Sequence, residues 1–313
     1  IRPYKNVLQF WSALDQEYGM TRARQLESAY IKLEDGDEAS FYSTIFEEYD
    51  VGIAFCCLRI NLYKTFIQWF QKFIEEKPES LIDVGCGNGV LACFLAQKLP
   101  DCKVTGFDIS PEGIHTANIL KKRLELENID FIQADLKSIK ETEPDLNADI
   151  VFSVASIDPL IASEAAPENE SLHKIHKSIR KKKFYEPIEQ VCNLLKNEKS
   201  IFISFDKIKS IKEQLLRIES IKNAGLSLDF RSSQWLTYEN IESEEITLPA
   251  LVARKKPKET SFEEEIAFLL KRKFTSLKIG MEEKQDLEAE LAFTYTNPKE
   301  FKTGARADYR DGA

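Results

Sequence analysis

Between Ser80 and Ala253 short apolar runs alternate with amphipathic stretches, and this alternation constrains the fold more than any other feature of the chain. Strands buried on both faces read as nearly continuous apolar runs, and parallel strands need crossover helices between them. The strand candidates are Leu81–Val84, Lys103–Phe107, Ile129–Gln133, Ile150–Val154, Ser200–Phe205, Leu226–Ser232 and Ile246–Ala253. Helices fit Gly89–Leu99, Pro111–Leu126, Pro187–Leu195 and Ile208–Asn223, the last stopped by Ala224-Gly225. The pattern predicts an α/β, doubly wound, seven-stranded and mostly parallel sheet.

The flanks differ from this centre. Residues 1–78 read as helical, with Ile60, Leu62, Phe66, Ile67, Trp69, Phe70, Phe73 and Ile74 recurring at helical spacing. So aromatic a stripe suits either a core or a membrane surface; Glu75 and Glu76 at its end favour a core. After residue 254 the run Lys255-Lys256-Pro257-Lys258 reads as a linker, followed by a helix from Ser261 to Lys273 whose early Glu263, Glu264 and Glu265 suit the positive end of its dipole. The expected division is a helical lid over 1–78, a ligand-binding core over 79–256 and a C-terminal extension over 257–313.

A 43% hydrophobic and 30% charged composition is that of a globular chain. No apolar run approaches the roughly 18 residues of a membrane span, and Ile1-Arg2-Pro3-Tyr4-Lys5 has no signal-peptide core, so no membrane and a cytoplasmic location are expected. Ile1 in place of methionine leaves the true termini open. The six cysteines show no zinc spacing and read as reduced thiols, and no metal is expected. A net charge of -9 argues against nucleic acid as a partner, because nonspecific binding there rests on clustered Lys and Arg.

The segment that carries chemistry is Asp83-Val84-Gly85-Cys86-Gly87-Asn88-Gly89, between the first strand and the following helix. A glycine-rich turn there lets the backbone approach a nucleotide-like ligand. The second strand ends in Gly106-Phe107-Asp108, where an acid meets ribose hydroxyls in dinucleotide-type folds. Behind the third strand stands Gln133-Ala134-Asp135-Leu136, with a carboxylate able to accept from an exocyclic amine. Each acid has a plainer reading: Asp83 as a turn cap, Asp108 as a helix cap together with Ser110, Asp135 as a solvated loop acid. Their occurrence together favours the binding reading. A nicotinamide fold would prefer G-x-G-x-x-G and gives no reason for Asp83 or Asp135.

An acid two positions before G-x-G-x-G, an acid closing strand two and an acid after strand three together resemble the class I, Rossmann-like S-adenosylmethionine-dependent methyltransferases. The resemblance covers about residues 79–254 and implies that the last two strands form an antiparallel hairpin at the sheet edge. It implies that Asp83 lies near the methionine amine, that Gly85, Cys86, Gly87, Asn88 and Gly89 wrap methionine and ribose, and that Asp108 holds the ribose. Ile109 would pack on adenine, Ala134, Asp135 and Leu136 would surround its amino group, and Ser153 at the end of strand four would complete the site. The bound molecule would be S-adenosylmethionine, leaving as S-adenosylhomocysteine.

Because a sulfonium is already activated, methyl transfer needs mainly alignment and exclusion of water, and leaves a faint catalytic trace. Asp158, in the segment after strand four, is the catalytic candidate, though an Asp before Pro159 also simply starts a turn. Asp158-Pro159-Leu160-Ile161 lacks the N/D-P-P-Y/F motif of amino-group methyltransferases of nucleic acid and glutamine, and no Pro-Cys supplies a cytosine nucleophile. His173 and His176 stand among Lys174, Lys177, Arg180 and Lys181 and read as a solvated helix face. Tyr49 is a candidate lid contact. The leading reading is a methyltransferase acting on O, N or C of a small molecule; a peptide or protein acceptor and a cofactor-binding scaffold without turnover are the alternatives.

Overall fold

The computed structural model describes residues 4–34, 38–157, 186–206, 217, 218, 220–255 and 268. Five helices come first: α1 (Val7–Tyr18), α2 (Met20–Glu34), α3 (Glu38–Phe46), α4 (Tyr49–Cys56) and, after the 3-10 turn Cys57–Arg59, α5 (Ile60–Ile74). Then β1 (Ser80–Val84), α6 (Val90–Lys98), β2 (Lys103–Asp108), α7 (Pro111–Arg123), β3 (Ile129–Gln133), α8 (Ile139–Thr142) and β4 (Ile150–Val154) follow. The described chain closes with α9 (Glu186–Asn193), β5 (Ile201–Phe205), β6 (Ser227–Leu228), β7 (Gln234–Glu239) and β8 (Glu245–Arg254).

The strands make one sheet in the order β3-β2-β1-β4-β5-β8-β6, with β7 paired to β8. The pairs among β1 to β5 are parallel, and β8 runs antiparallel to β5, β6 and β7. The doubly wound sheet and its antiparallel last strand are as expected; the number of strands is eight rather than seven. The expected strand Leu226–Ser232 stops after Leu228, because Asp229 folds the chain into a turn. Its carboxylate accepts from the Ser232 amide at 3.2 Å, the Ser232 hydroxyl at 2.9 Å and Arg254 Nε at 3.0 Å. Pairing with β8 resumes at Gln234, so β6 and β7 are one edge broken by a polar knot.

Alternate residues of a strand face opposite sides of a sheet, and the core divides accordingly. Ile82, Val84, Val151 and Phe202 pack with Ile188 and Val191 of α9 on one face. Leu81, Val104, Phe152 and Phe205 pack with α5 and α6 on the other. The aromatic stripe of α5 is core, as Glu75 and Glu76 suggested: Phe66 is fully buried, its ring 5.0 Å from Phe70, 5.7 Å from Phe205 and 5.9 Å from Phe152. A third cluster joins α1 to α4 through Phe10, Leu26, Phe41, Phe46 and Phe55. No helix among the described residues is long and apolar enough to cross a membrane.

Candidate functional site

In open α/β sheets the ligand crevice lies beyond the carboxyl ends of the strands, where the strand order reverses. Here that point is the rim of β1 and β4, which lie side by side with β2 and β5 outside them. A cavity of about 710 Å³ opens there. Its floor is the turn after β1, Asp108 to Glu112, Ala134 to Leu136 and Val154 to Ser156. Its roof comes from α3, α4, the Cys57–Arg59 turn and the start of α5, and Tyr238 to Glu242 close one side.

The turn after β1 is held by backbone bonds, Gly85 and Cys86 both donating to the Phe107 carbonyl at 2.9 and 3.0 Å. Gly85 has φ +69°, and a Cβ there would stand 2.4 Å from Ser156 Cβ, so both conformation and space demand glycine. Space at Gly89 is taken by Phe131 and Ala117. These glycines therefore answer to the protein's own packing. Gly87 instead faces the roof, where an added Cβ would lie 3.4 Å from Phe46 Cζ. The same ring bounds Gly52 at 3.1 Å and Gly113 at 3.3 Å. Beside it, the Asn88 amide donates to the Gly52 carbonyl at 2.9 Å, and Thr116 Oγ1 donates to the Phe46 carbonyl at 3.2 Å. Roof, turn and α7 are thus clasped together.

Asp108 accepts from the Gly87 amide at 2.8 Å and from the Ser110 amide at 2.9 Å, one bond to each oxygen. Each oxygen keeps acceptor capacity for a further donor. Burial raises its pKa against the pull of those amides. Ser110 caps α7 through its own hydroxyl, so Asp108 is not needed for that task. Asp83 is only 3% exposed and accepts no hydrogen bond from a described residue; burial first, and the charge of Asp108 second, hold its pKa well above the usual carboxylate range.

A family profile described as "Methyltransferase domain" matches residues 75–249, more than half of the chain. The chain belongs to this methyltransferase family. Over 89 residues it is 32% identical to a tRNA (guanine-N(7)-)-methyltransferase of Chloroherpeton thalassium, covering 28% of this chain and 39% of that protein. Over 80 residues it is 35% identical to pavine N-methyltransferase of Thalictrum flavum, covering 26% and 22%. The chain thus spans well under half the length of the curated relatives it matches. Among solved structures, magnesium protoporphyrin IX methyltransferase from Synechocystis aligns over 63% of this chain and 81% of its own, at 15% identity and a TM-score of 0.44.

S-adenosylmethionine is the cofactor that this membership carries, and residues around the cavity fit it. Asp108 on the cavity floor has free acceptor positions for two hydroxyls, while Asp83 is buried in β1 and is not among the residues lining the cavity. Ile109 is 66% exposed beside Asp108, an apolar side chain left open on the cavity wall for a flat ring. Ala134, whose amide donates to the Asp108 carbonyl at 2.9 Å, brings β3 to the same wall.

Most of the residues singled out in the sequence meet here: Gly85, Cys86, Gly87, Asn88, Asp108, Ile109, Ala134, Asp135 and Leu136 line the cavity, and Asp83 and Gly89 do not. Asp135 spends one oxygen on the Lys137 amide at 2.9 Å. Asn88 is buried and committed to Gly52 and to Cys56 Sγ, so it ties the roof down rather than offering its amide to a ligand. Ser153 corrects the expectation. It is fully buried below the cavity, bonding Asp206 at 2.9 Å and Ser156 at 2.8 Å, in a network where Asp206 also accepts from the Ser156 amide and from Ser204. Tyr49 also lies outside the cavity, under the Arg123 guanidinium at 4.0 Å. Asp158, His173 and His176 fall outside the described residues.

Sequence reading missed Tyr42, Phe46, Arg59, Tyr63 and Tyr238, which the structure places on the cavity wall. A signal existed for one of them: Arg59 is a lone charge inside the apolar run Cys56-Cys57-Leu58-Arg59-Ile60. The cavity thiol Cys56 is pushed up to about 11 by burial, which leaves it protonated and unreactive at neutral pH.

Proposed function

We propose that the protein transfers the methyl group of S-adenosylmethionine to a small molecule held between the strand rim and the N-terminal helices. One observation carries this reading: the cofactor-type floor and an aromatic roof border a single cavity. Pockets of roughly 300 to 1,000 Å³ suit small ligands, whereas a chain-like acceptor needs an open groove. When bound, the cofactor supplies an activated methyl on sulfur.

The chain's part in this reading is binding and orientation. Asp108 takes ribose hydroxyls, and Ile109 with Ala134 packs on the adenine. Phe46, Tyr42, Leu62 and Tyr63 exclude water from the space above. Burial pushes Tyr238 up to about 12 and raises Tyr63 as well, so both phenols keep their protons at neutral pH and act as donors rather than bases. A proton lost by the acceptor then leaves through another group or through solvent.

Calorimetric titration with S-adenosylmethionine and S-adenosylhomocysteine tests this reading. Saturable binding is expected, and Asp108→Ala should weaken it about tenfold to a hundredfold, since hydrogen bonds to a charged group contribute about 1.5–3 kcal/mol. A folded wild type that binds neither compound overturns the reading.

A further inference from the structure

Arg59 stands at the start of α5, part-buried in the cavity roof, and is the one basic residue among the described residues lining the cavity. Its one hydrogen bond to a described residue runs from Nη2 to Tyr42 Oη at 2.8 Å, and its guanidinium lies 5.8 Å from the Tyr42 ring centroid. No Asp or Glu among the described residues forms an ion pair with it. A guanidinium carries five donors and no acceptor, so four N–H groups remain for something else. Tyr63 and Tyr238 line the same cavity, and burial keeps both phenols protonated. Tyr42, having accepted from Arg59, has its own proton to give.

A part-buried guanidinium with no ion-pair partner among the described residues is a ready place for an anion. The chain as a whole carries -9, so an anion is drawn to this place by Arg59 itself and not by the field of the whole molecule. The remaining charged liners, Asp108, Glu112, Asp135 and Glu242, are acidic. A phosphate monoester of about -1.5 to -2 would leave excess negative charge among them. A carboxylate, singly charged, planar and acceptor-only, matches a guanidinium fork.

We infer that Arg59, with Tyr42, Tyr63 and Tyr238, forms a carboxylate receptor in the roof of the cavity. The inference rests on the methyl-transfer reading for the identity of the ligand, and two sources share the chemistry. One is the amino-acid tail of the cofactor, a zwitterion whose carboxylate would take Arg59 while its ammonium faces the acids of the floor. The other is a carboxylate-bearing acceptor.

The experiment compares wild type with Arg59→Met and Arg59→Lys, all shown folded by circular dichroism. Each is titrated with S-adenosylhomocysteine and with 5′-methylthioadenosine, which keeps the nucleoside thioether but lacks the amino-acid tail. Benzoate and neutral benzamide are then compared on each protein, alone and saturated with S-adenosylhomocysteine, by ligand-observed NMR. If the receptor holds the tail, Arg59→Met loses tenfold to a hundredfold in affinity for S-adenosylhomocysteine, 5′-methylthioadenosine is unchanged, and Arg59→Lys falls between. If it holds the acceptor, both nucleosides bind as before, and a wild-type preference for benzoate over benzamide disappears in Arg59→Met. The inference is overturned if Arg59→Met weakens both nucleosides alike, or if it changes neither the nucleosides nor the benzoate preference. Failure of wild type to bind either nucleoside would sink the methyl-transfer reading instead, and Arg59 would then stand or fall on the benzoate preference of the protein alone.

Discussion

Asp83 bears a cost when it is ionised. Its carboxyl is buried and accepts no hydrogen bond from a described residue, and its pKa is raised, by burial and then by Asp108. For a carboxyl raised in the folded state, the folded protein holds a proton that the unfolded chain has already lost, so stability falls as pH climbs from the ordinary carboxylate range to the raised value, then levels off. Asp83→Asn removes the titration. The ligand-free variant should therefore melt at a higher temperature than wild type at neutral pH, the gap closing as pH falls below the ordinary carboxylate range. Melting curves across that range check this; a gap independent of pH, or of opposite sign, would contradict the assignment of Asp83 as an unsatisfied buried acid.

Among the elements, α5 shows how a pattern becomes a load-carrying surface. Leu62, Phe66, Trp69, Phe70 and Phe73 fall on one side at helical spacing, and all five are buried. Phe66→Ala deletes a ring in contact with Phe70, Phe152 and Phe205 and should cost about 3–5 kcal/mol, read from the denaturant midpoint. This helix was legible in the sequence because burial on one face imposes a period. The parallel strands were legible for a related reason: strands buried on both faces are runs of apolar residues. β7 was not, since Gln234–Glu239 is a half-exposed edge strand and the turn before it depends on hydrogen bonds of Asp229, Ser232 and Arg254, which leave no periodic trace. Likewise the glycine turn, Asp108 and Asp135 announced themselves by position at strand ends. Arg59, Tyr63 and Tyr238 did not, because they are brought to the cavity by a tertiary arrangement of helix start and hairpin.

At the scale of the whole molecule, the cavity is bounded by parts that share few covalent neighbours: the N-terminal helices, the sheet rim and the β7–β8 hairpin. A ligand seated there bridges all three. Saturation with S-adenosylhomocysteine at about a hundred times its dissociation constant should add about 2.7 kcal/mol to unfolding, and hydrogen exchange should slow in α3 and α4 as well as in the turn after β1. Protection confined to the turn would mean that the roof takes no part in binding.

Phe46 gives that roof a particular character. Three backbones approach one ring: an added Cβ would be crowded at Gly52 and Gly113, and at Gly87 it would be in ordinary contact, the positive φ there favouring glycine. The pitch of the roof and the height of the cofactor turn are consequently a single adjustment, shared by segments far apart in the chain. Anyone redesigning the protein for a different acceptor should therefore leave this joint alone and recut the walls, at Tyr30, Leu33, Ile241 and Ile246, where cavity shape can vary without retuning the grip on the nucleoside.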